Sequence, residues 1–138
     1  MAMIIDEILS IAKSLWDVTL DLKEKKREKI ERAASFLNGI SQILTDAADS
    51  LSQRKVPHSK CEELKNHAEY FYEIMKDLIV EDQLMDLAYR LLNAWEIERA
   101  YYELEQLKFD EDADQEIIAL RKAAGYFRAV SAKLLLDS

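Results

Sequence analysis

Proline occurs once in the 138 residues, glycine twice and cysteine once. An average globular chain carries about 5% proline and about 7% glycine, so most of the residues that make turns are missing and long helices follow. Valine appears only at 18, 56, 80 and 130, and no run alternates Val, Ile or Thr with polar residues between turn signals. No strand is expected. The lone Cys61 has no partner for an internal disulfide or a cysteine-based zinc pair, which fits a reducing, cytoplasmic setting. No segment reaches the ~18 apolar residues of a membrane span. The N-terminal apolar run lacks a basic flank and meets Asp6 and Glu7 at once, so it does not read as a signal peptide.

A free surplus of positive charge is also missing. The formal net charge is −8, and residues 1–56 carry nine acids and nine bases, so the acidic excess lies wholly in residues 57–138. The one basic cluster, Lys23–Lys29, is interrupted by Glu24 and Glu28. Duplex binding needs a basic face to displace counterions, so no nucleic-acid partner is expected.

What the chain does have is helical periodicity. Ile30, Ala33, Leu37, Ile40, Leu44, Ala47 and Leu51 recur at alternating three and four, the seam of a bundle helix. A second seam follows Pro57 through Cys61, Leu64, Ala68, Phe71, Met75 and Leu78, with Ser59 and Glu62 in capping-box spacing. A third helix is expected over 82–108, with Asp82 as its N-cap and Leu84, Leu87, Ala88, Leu91 and Trp95 inward. After the acidic loop 109–114 comes a fourth helix over about 113–136, burying Ile117, Leu120, Ala124, Phe127, Val130 and Leu134. Four matched segments with short connections predict an antiparallel up-down four-helix bundle over 30–138, within one all-helical domain spanning 1–138.

Residues 4–22 are the odd element. They are apolar around most of the helix, with Asp6, Ser10, Lys13, Asp17 and Asp21 forming one narrow polar stripe. Nothing between 22 and 33 breaks a helix, and Glu28 with Arg32 adds a favourable i, i+4 pair. The expectation is therefore one helix from about 3 to 52 whose first part projects beyond the bundle. Its apolar residues Ile5, Ile8, Leu9, Ala12, Leu15 and Trp16 are then the partner-binding face of a coiled-coil-like contact. The alternative is that the chain breaks within 23–29 and residues 1–29 fold back as a fifth helix.

Candidate chemistry is sparse. Neither His58 nor His67 has the Glu-x-x-His spacing of a two-metal carboxylate bundle, and Cys61 and His67 are six apart, on different helix faces. Asp110, Asp112, Asp114 and Glu116 imitate the start of a calcium loop. The pattern then places Gln115 where glycine and Arg121 where glutamate belong. No metal or cofactor is expected. Glu98 continues the Leu84–Trp95 seam and reads either as half-exposed where the seam drifts or as a buried carboxylate paired with Arg121 or Arg128 on the fourth helix. The six tyrosines could line a small-molecule pocket, although aromatics at helical spacing ordinarily serve the core. Gly39 and Gly125 interrupt strong helical patterns, where each costs about 1 kcal/mol relative to Ala. Close helix approach explains such residues, and so does a groove for a partner.

Arg54 and His58, separated by Lys55, Val56 and Pro57, resemble the Arg/His pair of small all-helical RNases of the HEPN type at a shorter spacing. That resemblance implies a ribonuclease with those two residues at its centre. The residues themselves point instead to a non-enzymatic interaction or oligomerisation module, most simply a homodimer, with a small-molecule-binding or regulatory bundle as its rival.

Overall fold

A computed structural model describes residues 3–138. Six helices account for the regular structure among them: α1 (Ile4–Asp17), α2 (Arg27–Ser52), α3 (His58–Met75), α4 (Glu81–Leu92), α5 (Arg99–Gln106) and α6 (Glu111–Asp137). Among the described residues, no helix is long and apolar enough to cross a membrane. The fold is all-helical as expected, but two of the expected helices are broken, and the N-terminal helix does not project.

The α2 seam is buried throughout: Ile30, Ala33, Leu37, Ile40, Leu44, Ala47 and Leu51 are each at most 2% exposed. The α3 and α6 seams are buried in the same way, and all join one hydrophobic cluster. The α2 and α6 helices form the long axis of the molecule. Ser41 lies opposite Ala124 and Ser131 opposite Ala34, so the two run antiparallel. The facing positions are small, with Ala33, Ala34, Ala47 and Ala48 on α2 and Ala123 and Ala124 on α6. Small residues let the backbones approach, and each buried serine hydroxyl is satisfied by a carbonyl of the other helix.

The expected continuous helix over 3–52 ends at Asp17 and resumes at Arg27. No local breaker accounts for this. Val18 is buried and Leu20 and Leu22 are half-buried against the core, a satisfaction that a straight helix running out into solvent would deny them. The segment is held to the α3–α4 connection by an antiparallel bridge between Leu20 and Ile79, by Asp21 N–H donating to the Leu78 carbonyl, and by Thr19 N–H donating to Gln83. The basic cluster sits at the end of the bundle where opposite charge was expected, with different partners. Lys29 pairs with Asp77 at 2.7 Å, and Arg27 donates to the Leu135 carbonyl and to Ser138, rather than to Glu81, Asp82 or Asp137.

The expected helix over 82–108 breaks at 93–98, where Ala94 and Ile97 turn inward and are almost completely buried. The Ser59–Glu62 capping box and the Asp82 cap do not form: α3 starts after Pro57 and α4 after Val80, neither with a side-chain cap. Asp110 does cap, accepting from the backbone N–H groups of Asp112 and Ala113, which gives the calcium-like acidic run a helix-starting role.

Lacking glycine at its turns, the chain puts Glu24, Arg54, Asp77, Lys108 and Phe109 into the left-handed region. For residues with a Cβ this costs roughly 1–2 kcal/mol each. Both glycines are in helices instead.

Candidate functional site: a basic-rimmed groove between α1 and α6

Helix α1 lies against α6, with α4 on its other side. Its direction is fixed by its two ends. The backbone N–H of Ile4 donates to Glu103 of α5 at 3.0 Å, and Asp6 lies beside Glu116 near the start of α6. Trp16, at the other end, has the Lys133 ammonium 5.1 Å from its ring centroid, near the end of α6. The two helices therefore run parallel. Arg90 of α4 donates to Ser10 at 2.7 Å and to Ser14 at 3.0 Å, closing the opposite flank.

This arrangement redistributes the residues expected to bind a partner. Ile5, Ile8, Ala12 and Leu15 are at most 1% exposed and belong to the chain's own core. They are not an uncovered face. The physical reason is the one that made them conspicuous: a helix apolar over most of its circumference must be covered, and α6 and α4 cover it. What remains outside includes Asp6, Ser10, Lys13 and Asp17, the polar stripe legible in the sequence.

Leu9 and Trp16 remain accessible, and they turn toward a groove of about 540 Å³ between α1 and α6. Its α6 wall includes Ile118, Ala119, Tyr126 and Ala129, its lining is mainly apolar, and Lys13 and Lys122 stand over it from opposite sides. Lys133 adds a third cation beside Trp16. In a chain of net charge −8, three ammonium groups around one apolar depression form a local field of opposite sign. From Gln115 to Ala129 the groove follows α6 for about 21 Å at 1.5 Å per residue.

Gly125 forms part of the lining. A Cβ built there meets nothing within 4 Å, so no neighbour among the described residues requires glycine. Gly39 is different. A Cβ on it would come within 2.9 Å of His67 Nε2, the imidazole being stacked on Phe36 at 5.0 Å between ring centroids and donating its Nδ1–H to the Glu63 carbonyl.

Glu98 and Arg128 are not brought together. The break at 93–98 moves Glu98 off the seam to the position preceding α5, half-exposed, where it meets His58 Nδ1 at 2.9 Å; Arg128 is on the exposed side of α6. Arg121 instead reaches Asp49 at 2.9 Å. Arg54 and His58 also go separate ways, since the Arg54 guanidinium lies over the Phe109 ring at 5.4 Å while His58 faces Glu98. The geometry needed for a paired Arg/His centre is not built. Cys61 is 3% exposed with its thiol toward the Trp95 carbonyl, and burial raises its pKa, so it is poorly poised as a nucleophile. Among the described residues, no group of three or more His, Cys, Asp or Glu side chains is placed to hold a metal ion.

One carboxyl was not anticipated. Glu116 stands where α1, α5 and α6 meet, and its Oε2 is buried with no donor N–H or hydroxyl in reach, so only a proton shared with a neighbouring carboxyl can satisfy it. Burial first, then the charge of Asp6 and a hydrogen bond with it, then the charge of Glu103, raise its pKa from 4.5 to about 7. In the sequence it looked like part of an acidic loop. Only the folding back of α1 brings Asp6 to it.

No family model, curated protein or solved structure matches the chain.

Proposed function

We propose that the protein is a non-enzymatic helical interaction module, whose α1/α6 groove receives an amphipathic helix with an apolar face flanked by acidic residues. Gly125 carries this reading. In the middle of a 27-residue helix it costs about 1 kcal/mol relative to Ala, and none of the described residues occupies the space above it. A small residue at an open helix surface lets another backbone approach, and the groove's length of about four helical turns suits a helix laid along it. Leu9, Trp16, Ile118 and Tyr126 supply the apolar contact, and Lys13, Lys122 and Lys133 select for acidic flanks.

The test uses a designed acidic amphipathic peptide, with glutamates flanking a leucine stripe, titrated into isotopically labelled protein. Amide shifts confined to the groove, and lost in Gly125→Leu without loss of its melting transition, are the expected result. No groove shifts at about millimolar peptide, the weak limit of specific recognition, would defeat the reading. Saturation by decanoate with no response to the peptide would favour a small amphipathic ligand instead.

A further inference from the structure

The acidic amphipathic helix that the groove would take has a counterpart in the same chain. Helix α4 exposes Met85, Tyr89 and Leu92, which are 56%, 70% and 44% accessible and recur at i, i+4 and i+7 on one face. Such a stripe normally faces a core. Here it faces outward, uncovered by any element among the described residues. Glu81, Asp82 and Asp86 lie along the same helix, all exposed, opposite in sign to the lysines of the groove. The lengths agree as well: twelve residues of α4 span about 18 Å, against about 21 Å of groove.

Position adds to the complementarity. The α1 helix separates the two features, with α6 and the groove on one side and α4 on the other, where Tyr89 and Arg90 stand beside Glu7 and Ser10. Within one chain, α4 therefore cannot reach the groove. In a pair of chains related by a two-fold axis over the polar ridge of α1, each α4 lies opposite the other chain's groove, and both contacts form at once. Resting on the reading of the groove as a helix receptor, we infer that its occupant is α4 of a second copy, giving a closed homodimer through the α6–α1–α4 face. Such a double contact is self-complementary, which stops assembly at two. Seating Met85, Tyr89 and Leu92 in both grooves brings an apolar cover to the groove side of Trp16 in each protomer.

The experiment is sizing with light scattering from about 1 to 100 μM, a range that spans ordinary dimer affinities. The full chain is expected to be a dimer. Lys13→Glu/Lys122→Glu and Asp82→Lys/Asp86→Lys should each be folded by circular dichroism and monomeric alone, and an equimolar mixture of the two should recover a dimer. Because Asp86 also pairs with Arg90 at 3.5 Å, Tyr89→Ala provides a second α4 variant that leaves this ion pair in place and should weaken association at least tenfold. A dimer indifferent to all of these changes would overturn the inference, as would assembly beyond two. A monomeric wild type that still binds the designed acidic peptide in a Gly125-dependent way would also overturn it while leaving the groove reading intact. A monomer that binds no peptide would remove both.

Discussion

Ser41 and Ser131 hold α2 and α6 together by a reciprocal exchange: the Ser41 hydroxyl donates to the Ala124 carbonyl at 2.8 Å, and the Ser131 hydroxyl donates to the Ala34 carbonyl at 2.7 Å. Both serines are 1% exposed, so each hydroxyl trades water for a single protein acceptor and locks the register of the antiparallel pair. Replacing either by Ala should cost about 1 kcal/mol, the usual net value of a buried hydrogen bond. Ser131→Leu should cost more, about 1–3 kcal/mol, because the alanine-lined contact has no room for the added carbons. Urea denaturation of the three proteins checks the order.

Removing residues 1–22 should disrupt the fold. Ile4, Ile5, Ile8, Ile11, Ala12 and Leu15 are all at most 3% exposed, and their loss would uncover the faces of α6 and α4 that they now cover. The expected outcome is a broad or absent melting transition with strong binding of a hydrophobic dye. A truncated chain that melts as sharply as the full one would mean that α1 is not part of the core.

Glu116 makes stability depend on pH in a direction opposite to that of most carboxylates. Its pKa in the folded chain is about 7, above the ordinary 4.5, so between those values the folded state holds more protons than the unfolded state. Its contribution to stability is complete below about 4.5 and is lost as pH rises through about 7. Glu116→Gln keeps a neutral side chain at every pH. It should therefore flatten that part of the profile and be more stable than the parent above pH 7. Denaturant midpoints at pH 5, 7 and 8.5 decide it, and a profile unchanged by the substitution would rule out the role of Glu116.

The two glycines should respond differently to alanine. Gly125→Ala adds a methyl group to open space and should raise stability by about 1 kcal/mol through helix propensity. At Gly39 the same gain is opposed by the 2.9 Å approach to His67, which must give way and loosen its stacking on Phe36. Gly39→Ala should accordingly gain less, or lose stability. Thermal melts of the pair supply the comparison.

The buried side of this fold was largely legible in the residues. The seams of α2, α3 and α6 appear as three-and-four spacing because a helix in a bundle repeats its environment every turn, and each position named on them is buried. The breaks at 18–26 and 93–98 left no such mark. Lys, Glu and Arg favour a helix where the chain in fact turns, and the deciding contribution comes from Leu20, Leu22, Ala94 and Ile97 finding burial far away in sequence. Misplacing those breaks misplaces the candidate groove: a straight first helix gives Ile5, Ile8, Ala12 and Leu15 to an uncovered face, and an unbroken third helix leaves Glu98 open to a pairing with Arg128 that the structure does not make. Leu9 and Trp16 stand out in the residues and do line the groove, but nothing in the spacing groups Lys13, Lys122 and Ile118 with them, because only the parallel docking of α1 on α6 brings them together. Gly125 was visible as an anomaly without an address.

The parallel docking of α1 on α6 also sets an order of events during synthesis. Asp6 and Glu116, neighbours in the folded chain, are 110 residues apart, so α1 leaves the ribosome long before the helix that covers it exists. At about 5–20 residues per second that interval is roughly 5–20 s. Throughout it, a helix apolar over most of its surface lacks its main cover, with α4 the first of its neighbours to be made. Until α6 is made, the apolar face of α1 therefore stays open to other contacts, as is common for helices whose cover is distant in sequence.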